Sequence, residues 1–445
     1  MQIILALIQV AQARTWTVDA DGGGDAATVE EGVALLSDGD TLRIGAGVFD
    51  VMDVTVDVDN VHISGAGAEM TTLTAIDVDD VDTVQALVLR GRNITISDMT
   101  FSGYGDLDPC TSLVLSVNDE TVVERCHFTN NATAIRVAEG ALFSVSIFDS
   151  VFVNNLGAVY IPDFVGSLVV ENNLFLDSGW GVYFSGLYSA GRFDLISVVN
   201  NTFVGDEWAV QIGNATYGYA GIGATKVEIV NNVFADVEYS WMVDLHDGYL
   251  PRGEIRNNVY TPGSTSSLDE GSPIVESHNL EADVSFVAWS DDGDWTNDDL
   301  HVVEGSAAID IGVDGYATSP ADADGYARPI DGDGDGLALP DAGAYELCPT
   351  GDCPLAEIDS DTGDTGDTGA HDTGDTGAHD TGSSPTGTDE SGEHDSADPD
   401  SSADPEALAT TGCGATGCAS ADPRGLAGPA LAALAALGLR RRLRR

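Results

Sequence analysis

The sequence predicts an all-β chain whose body is a solenoid, a parallel β-helix with a short helical cap in front and an acidic stalk behind. Three observations predict it. A short pattern recurs: two apolar residues, two polar residues that are often Asn-Asn, one variable residue, then an aromatic. Its aromatics are 27, 24, 23, 28, 31 and 26 residues apart. A period in the twenties is one turn of a repeat architecture in which each unit rests on its neighbours. Short β-branched runs precede the Asn pair, as in Leu168–Val170, Ile196–Val199 and Val227–Val230. Helical repeats need a 3.6-residue apolar period over more than ten residues, and leucine-rich repeats need Leu at fixed offsets; neither is met.

The elements follow in chain order. Residues 1–13 hold a short apolar stretch ending in Ala11-Gln12-Ala13, which fits a signal peptide cleaved before Arg14. No Lys or Arg precedes that stretch, and a buried N-terminal strand is the alternative. Residues 14–45 are expected to cap the solenoid. Thr28 to Ser37 reads as an amphipathic helix with Thr28 as N-cap, followed by Asp38-Gly39-Asp40 and a strand Thr41–Ile44. A cap is physically required, because an open first coil would template aggregation.

The solenoid proper is expected over 46–300. Its clearest coils are Val170-Glu171-Asn172-Asn173-Leu174-Phe175, Asn200-Asn201-Thr202-Phe203, Asn231-Asn232-Val233-Phe234 and Asn257-Asn258-Val259-Tyr260. Weaker copies are Asp98-Met99-Thr100-Phe101, Arg125-Cys126-His127-Phe128 and Asp149-Ser150-Val151-Phe152. Coils stack about 4.8 Å apart, so Asn should bond to Asn along the axis and Phe should stack on Phe inside. Asn also tolerates the left-handed backbone that a tight corner needs. Residues 301–347 are expected to close the C-terminal end.

Residues 348–412 repeat Asp-Thr-Gly and then turn to Ser, Asp and Pro. Such a linker has almost nothing to bury and is expected to stay disordered and extended. Residues 413–445 carry Cys413 and Cys418, an apolar run over 425–439 and the terminal Arg440-Arg441-Arg442-Leu443-Arg444-Arg445. The run is short for a membrane span. A C-terminal hydrophobic helix closed by arginines still reads as membrane insertion with its positive end held in the cytoplasm.

Charge limits the partners. The 74 acidic and 17 basic residues give a net charge of -57, and 56 of the acids precede Leu347, against 11 of the basic residues. Lys226 is the only lysine. Nucleic acid needs clustered Lys/Arg and is excluded. Polyanionic sugars would be repelled unless divalent cations bridge them. Calcium is the natural counter-ion for so many carboxylates. The cysteines form three local pairs, Cys110/Cys126, Cys348/Cys353 and Cys413/Cys418, which suits disulfides and an oxidising compartment.

Several motifs carry resemblances. Gly24-Asp25, Thr28-Val29, Gly39-Asp40-Thr41-Leu42, Gly45, Gly47, Phe49 and the Asn-Asn-x-Phe coils resemble the pectate-lyase-like right-handed parallel β-helix superfamily over roughly 15–300. That resemblance implies a right-handed solenoid and marks fold, not reaction. Ser306 to Gly312, Asp324, Arg328-Pro329 and Asp341 to Glu346 resemble the terminal element called choice-of-anchor Q, which implies no catalytic role. The last 33 residues resemble the MYXO-CTERM sorting signal, which implies processing near Cys413 or Cys418 and delivery of a secreted protein to the cell surface or outer membrane.

Candidate sites come from aligning one strand across five coils: Ala134 to Val137, Ala158 to Ile161, Gly181 to Phe184, Ala209 to Ile212 and Met242 to Leu245. Alternation then sets Arg136, Tyr160, Tyr183, Gln211 and Asp244 in one outward column. Rings beside polar tips suit a carbohydrate; a solvated face with scattered tyrosines is the alternative. Trp180, Trp208 and Trp241 precede that strand, where packing at a corner competes with a sugar platform. Asp244 and His246, followed by Asp247, form the one local acid–base cluster, with a polar loop as the competing reading. Asp331, Asp333, Asp335 and Asp341 space carboxylates like the first half of a calcium loop, without its Glu at position 12; a flexible acidic turn between closing strands is the competing reading.

The expected function is a non-catalytic, adhesin-like protein, monomeric and anchored at the surface, that binds polysaccharide or a cell-surface glycan. The alternative is a secreted polysaccharide lyase or glycoside hydrolase using Asp244 and His246. No catalytic set of the resembled family can be carried over to this chain.

Overall fold

A computed structural model describes residues 12–356 apart from 76–83, 105–112, 116–119, 138–140, 162–163, 185–191, 214–222, 225, 244–251, 269–271, 291, 293, 350 and 352. The chain is a right-handed parallel β-helix. Successive coils contribute in turn to three parallel sheets: sheet I with 12 strands, sheet II with 10 and sheet III with 9 among the described residues.

The corner between sheets I and II explains the Asn pair. Its first residue is left-handed: Asp98, Arg125, Asp149, Asn172, Asn200, Asn231 and Asn257 have φ between 47° and 60°. That backbone costs an L-residue about 1–2 kcal/mol, and the short polar side chains of Asn and Asp tolerate it best. The second residue turns inward and forms the ladder. Asn173 Nδ2 donates to Asn201 Oδ1 (3.0 Å), Asn201 Nδ2 to Asn232 Oδ1 (3.1 Å) and Asn232 Nδ2 to Asn258 Oδ1 (3.0 Å). The aromatic two residues on pairs with its counterpart in the next coil. Phe101, Phe128, Phe152, Phe175, Phe203 and Phe234 form one buried file with centroid spacings of 5.0, 4.9, 4.8, 4.5 and 5.2 Å. A second polar ladder, not foreseen, lies at the corner between sheets II and III. There Asn131 Nδ2 donates to Asn155 Oδ1 (3.0 Å), and the Ser178 N–H donates to Asp206 Oδ1 (2.6 Å).

The cap differs in detail from expectation. The helix is Val29–Val33, shorter than Thr28 to Ser37, because Leu35 and Leu36 already donate three residues back, to Gly32 and Val33. Thr28 does cap it, accepting from the Glu31 N–H at 3.1 Å, and Glu31 reaches back to the Ala27 N–H. Thr15–Val18 pairs with Thr41–Ile44, so sheet I begins inside the segment expected to be cap.

Residues 301–347 do not simply close the end; they pack along the flank. Asn172, Asn231 and Asn257 donate to the carbonyls of Ala321, Val313 and Ile311, and Glu171 accepts from Thr318 and Ser319. Gly343, at φ 99°, approaches so closely that a Cβ would lie 2.7 Å from Thr202 Oγ1. Leu300, Val302, Ala308 and Ala342 cover Val153, Leu176, Val204 and Val233 on the outer face of sheet II in a second hydrophobic core. The reason is legible in the strands, since Val151-Phe152-Val153 and Leu174-Phe175-Leu176 are apolar on both faces and need cover on both.

Candidate functional site

The outer face of sheet III carries the candidate site. Register sets Arg136 beside Tyr160, Tyr160 beside Tyr183, and Tyr183 beside Gln211, as the alignment expected. The fifth member is corrected. Gln211 pairs with Met242, not Asp244, because Trp241 pairs with Val210 and enters the core. Trp241 fills the interior against Phe234 and Tyr260, and its Nε1 donates to Glu276 at 2.9 Å. The strand is thereby shifted two residues from the alignment that put Asp244 in the column. Asp244 and His246 themselves lie outside the described residues, as does Asp247. Arg256, which follows them in the sequence, is engaged by Glu254 (3.0 Å) and Asn257 (2.8 Å).

The tryptophans also depart from strict alternation. Strands Trp180–Phe184, Trp208–Ile212 and Tyr239–Val243 each expose their first and fourth residues and bury the two between. A small residue makes this possible. At Gly181 a Cβ would lie 2.6 Å from the Ala209 carbonyl oxygen and 2.7 Å from the Phe203 ring, so the backbone packs inward there. Trp180 therefore reaches Tyr183 on the outer face (5.6 Å, 26° between planes), and Tyr183 stacks on Tyr160 (5.4 Å). Beside them Trp208 stacks on Tyr239 at 3.8 Å, with Trp180 and Trp208 paired in register. Tyr239 takes the position in the third coil that Trp241 was expected to hold. Burial and the Glu238 carboxylate raise the Tyr239 hydroxyl above its ordinary range, so it stays a neutral donor. Five half-exposed rings, an amide and a guanidinium offer stacking surface and hydrogen bonds. Among its described residues the face has no carboxylate–imidazole pair.

The aspartate loop is partly redrawn. Asp331 and Asp333 do come together, but their third partner is Asp310; one oxygen from each lies within 4.8 Å of the others. Asp335 stands apart, accepting from the Leu337 N–H at 2.8 Å. Asp341 is corrected: it is buried in the flanking segment, where its two oxygens accept from the Asp310 N–H (2.7 Å) and the Leu347 N–H (2.6 Å). Burial, then the neighbouring Glu346 charge, push its carboxyl up to about 7. Arg328 pairs with that Glu346 at 2.9 Å.

Of the cysteines, Cys348 and Cys353 are bridged. Cys126 is corrected: it is a free, buried thiol in the ladder column, its Sγ 3.3 Å from the Glu124 carbonyl oxygen. Its inward position follows from the repeat, since it stands where later coils have Asn. Cys110, Cys413 and Cys418 lie outside the described residues.

Two clefts were missed by sequence reasoning. One, of about 720 Å³, lies at the N-terminal end and includes Asp19, Arg43, His62 and Asp98. His62 Nε2 is 2.8 Å from Ser97 Oγ, but Ser97 is fully buried and cannot act as a nucleophile. The other, of about 490 Å³, lies between sheet II and the flanking segment. In it His301 is clamped by Asp324 (2.8 Å) and Asp299 (2.6 Å) and stacks on Tyr345 at 3.9 Å. The Asp324 bond, seconded by Asp299, raises its imidazole to about 9, so it is a cation. The cleft brings the local run 295–301 against Glu69, His127, Val151 and Leu174, which lie far from it in the sequence, and no spacing could have joined them.

No family model matches the chain, and no curated protein matches it. Solved structures do. A pectate lyase, Pel9A, is 14% identical, over 76% of this chain and 98% of its own, with a TM-score of 0.40. The pectin methylesterase from carrot is 16% identical, over 60% and 82%, with a TM-score of 0.30. The pectin methylesterase PemA from Erwinia chrysanthemi is 12% identical, over 63% and 91%, with a TM-score of 0.26. At these identities and scores the likenesses carry no argument about the chemistry of this chain.

Proposed function

We propose that the protein binds polysaccharide without cleaving it, through the outer face of sheet III. One observation carries this reading: the rings of Trp180, Tyr183 and Tyr160, with Trp208 on Tyr239 beside them, form a half-exposed platform across consecutive coils. Sugar rings stack their apolar faces on such surfaces, while Gln211 and the tyrosine hydroxyls meet sugar hydroxyls. The net charge of -57 favours a neutral glycan over a polyuronate. Secretion, a monomeric state and anchoring at the cell surface through residues 413–445 belong to the same proposal.

Calcium belongs to it as well. Asp310, Asp331 and Asp333 are the residues that would hold the ion, with hard oxygen ligands of the kind calcium takes. Adding calcium to chelator-treated protein should raise the melting midpoint; an unchanged midpoint would remove the ion from the account.

The test of the function is a glycan-array screen of the folded body, read for binding and for product release. Binding with no product is expected. Release of unsaturated or new reducing-end products would overturn the non-catalytic reading and turn attention to Asp244 and His246.

A further inference from the structure

We infer that the cleft between sheet II and the flanking segment is a second ligand site, built for a small organic ammonium ion. It lies on a different sheet from the aromatic platform and does not depend on that reading. Its volume of about 490 Å³ suits a small molecule. Its floor is apolar: Val151 and Leu174 stay half-exposed there, whereas Val204 and Val233, further along sheet II, are sealed by the segment. Its wall is Trp295, held edge-on by His127 with centroids 5.7 Å apart and planes at 88°.

Charge selects the ligand. Glu69, 83% exposed, brings a carboxylate to 3.8 Å from His127 Nδ1, and Asp298 also lines the cleft. The cation that lines it, His301, is already neutralised between Asp299 and Asp324. Burial lowers the affinity of His127 for a proton, so that ring adds no positive charge. The cleft is therefore acidic above an apolar floor and beside an indole. An anion would be repelled. Glu69 and His127 would give a metal ion two ligands, while both ring nitrogens of His301 are taken by Asp299 and Asp324; among the described residues the three-carboxylate group is elsewhere. A nitrogen cation on an apolar body satisfies every part, with its charge facing Glu69 and Asp298 and the indole, and its carbons on Val151 and Leu174.

The probe is choline, titrated calorimetrically into the whole protein beside its neutral isostere, in which carbon replaces the charged nitrogen. Choline should bind saturably and at least about tenfold more tightly than the isostere, from the cation–π and carboxylate contacts combined. Trp295→Ala should weaken choline about tenfold. Glu69→Gln, an exposed change that leaves the fold alone, should weaken it several-fold, and added salt should do the same. Equal affinity for choline and the isostere would overturn the inference. So would an affinity for choline that neither substitution changes, or no binding of choline at all.

Discussion

Asn201 offers the sharpest test of how the coils are held together. It is fully buried at the centre of the first ladder. Its Nδ2 donates to the carbonyls of Val170 (2.8 Å) and Val199 (3.0 Å) and to Asn232 Oδ1 (3.1 Å). Its Oδ1 accepts from the N–H of Asn173 (2.9 Å) and from Asn173 Nδ2 (3.0 Å). Asn201→Ala removes all five bonds. The Asn173 N–H, buried from water, loses that acceptor, at about 1–3 kcal/mol. The remaining bonds add a few tenths to about 1 kcal/mol each, because water cannot replace them there. The expected loss is about 2–7 kcal/mol. Asn201→Ser is the internal control, since Ser150 already occupies this column and accepts from the Cys126 N–H at 3.1 Å. A serine keeps an acceptor for Asn173, so its loss should be about half as large. Denaturant unfolding followed by far-UV circular dichroism reads both variants. A loss below about 1 kcal/mol for Asn201→Ala, or equal losses for the two, would refute the ladder as a main source of stability.

Three further outcomes follow from particular residues. His301 should titrate by NMR near pH 9. Its folded value exceeds the ordinary 6.5, so its stabilisation is complete below about pH 6.5 and fades as pH rises through about 9. His301→Gln should flatten that part of the stability profile, and an imidazole titrating below 7 would contradict the clamp. Cys126, its thiol pushed up to about 12 by burial, should resist alkylation in the folded protein and label fully once unfolded. Mapping under non-reducing conditions should find Cys348–Cys353 bridged and Cys126 unbridged; a Cys110–Cys126 bridge would contradict the structure. Asn200, at φ 56°, should accept glycine within about 1 kcal/mol, whereas Asn200→Ala should lose about 1–2 kcal/mol; the reverse order would contradict a left-handed corner.

The coils were legible because the repeat forces like residues into register. Asn-Asn-x-Phe fixes a left-handed residue, an inward amide and an inward ring in every turn, whatever the intervening loops do. The tyrosine column was legible for the same reason as far as Gln211. It failed at the next coil because small apolar residues on both sides allowed two alignments, and the choice lay with Trp241, whose ring the core accommodates. The side-by-side exposure of Trp180 and Tyr183 was hidden too, since it depends on a backbone approach at Gly181 that breaks alternation. The flanking segment left a signal that went unused. The outer positions of sheet II change from Thr74, Ser102 and Thr129 to Val153, Leu176 and Val204, which marks where cover begins. The acidic cleft had no such signal, because Glu69 and His127 meet the run that carries Trp295 and His301 only through the tertiary fold.

The most direct test of the binding face is a calorimetric titration with the polysaccharide that scores best on the array, using the native protein, Trp208→Ala and Tyr183→Ala. Stacked rings contribute about 0.5–1.5 kcal/mol each beyond the area they bury, so each substitution should weaken binding about tenfold while the melting midpoint stays within a few degrees. Unchanged affinity in both variants would contradict the assignment of sheet III as the carbohydrate-binding surface.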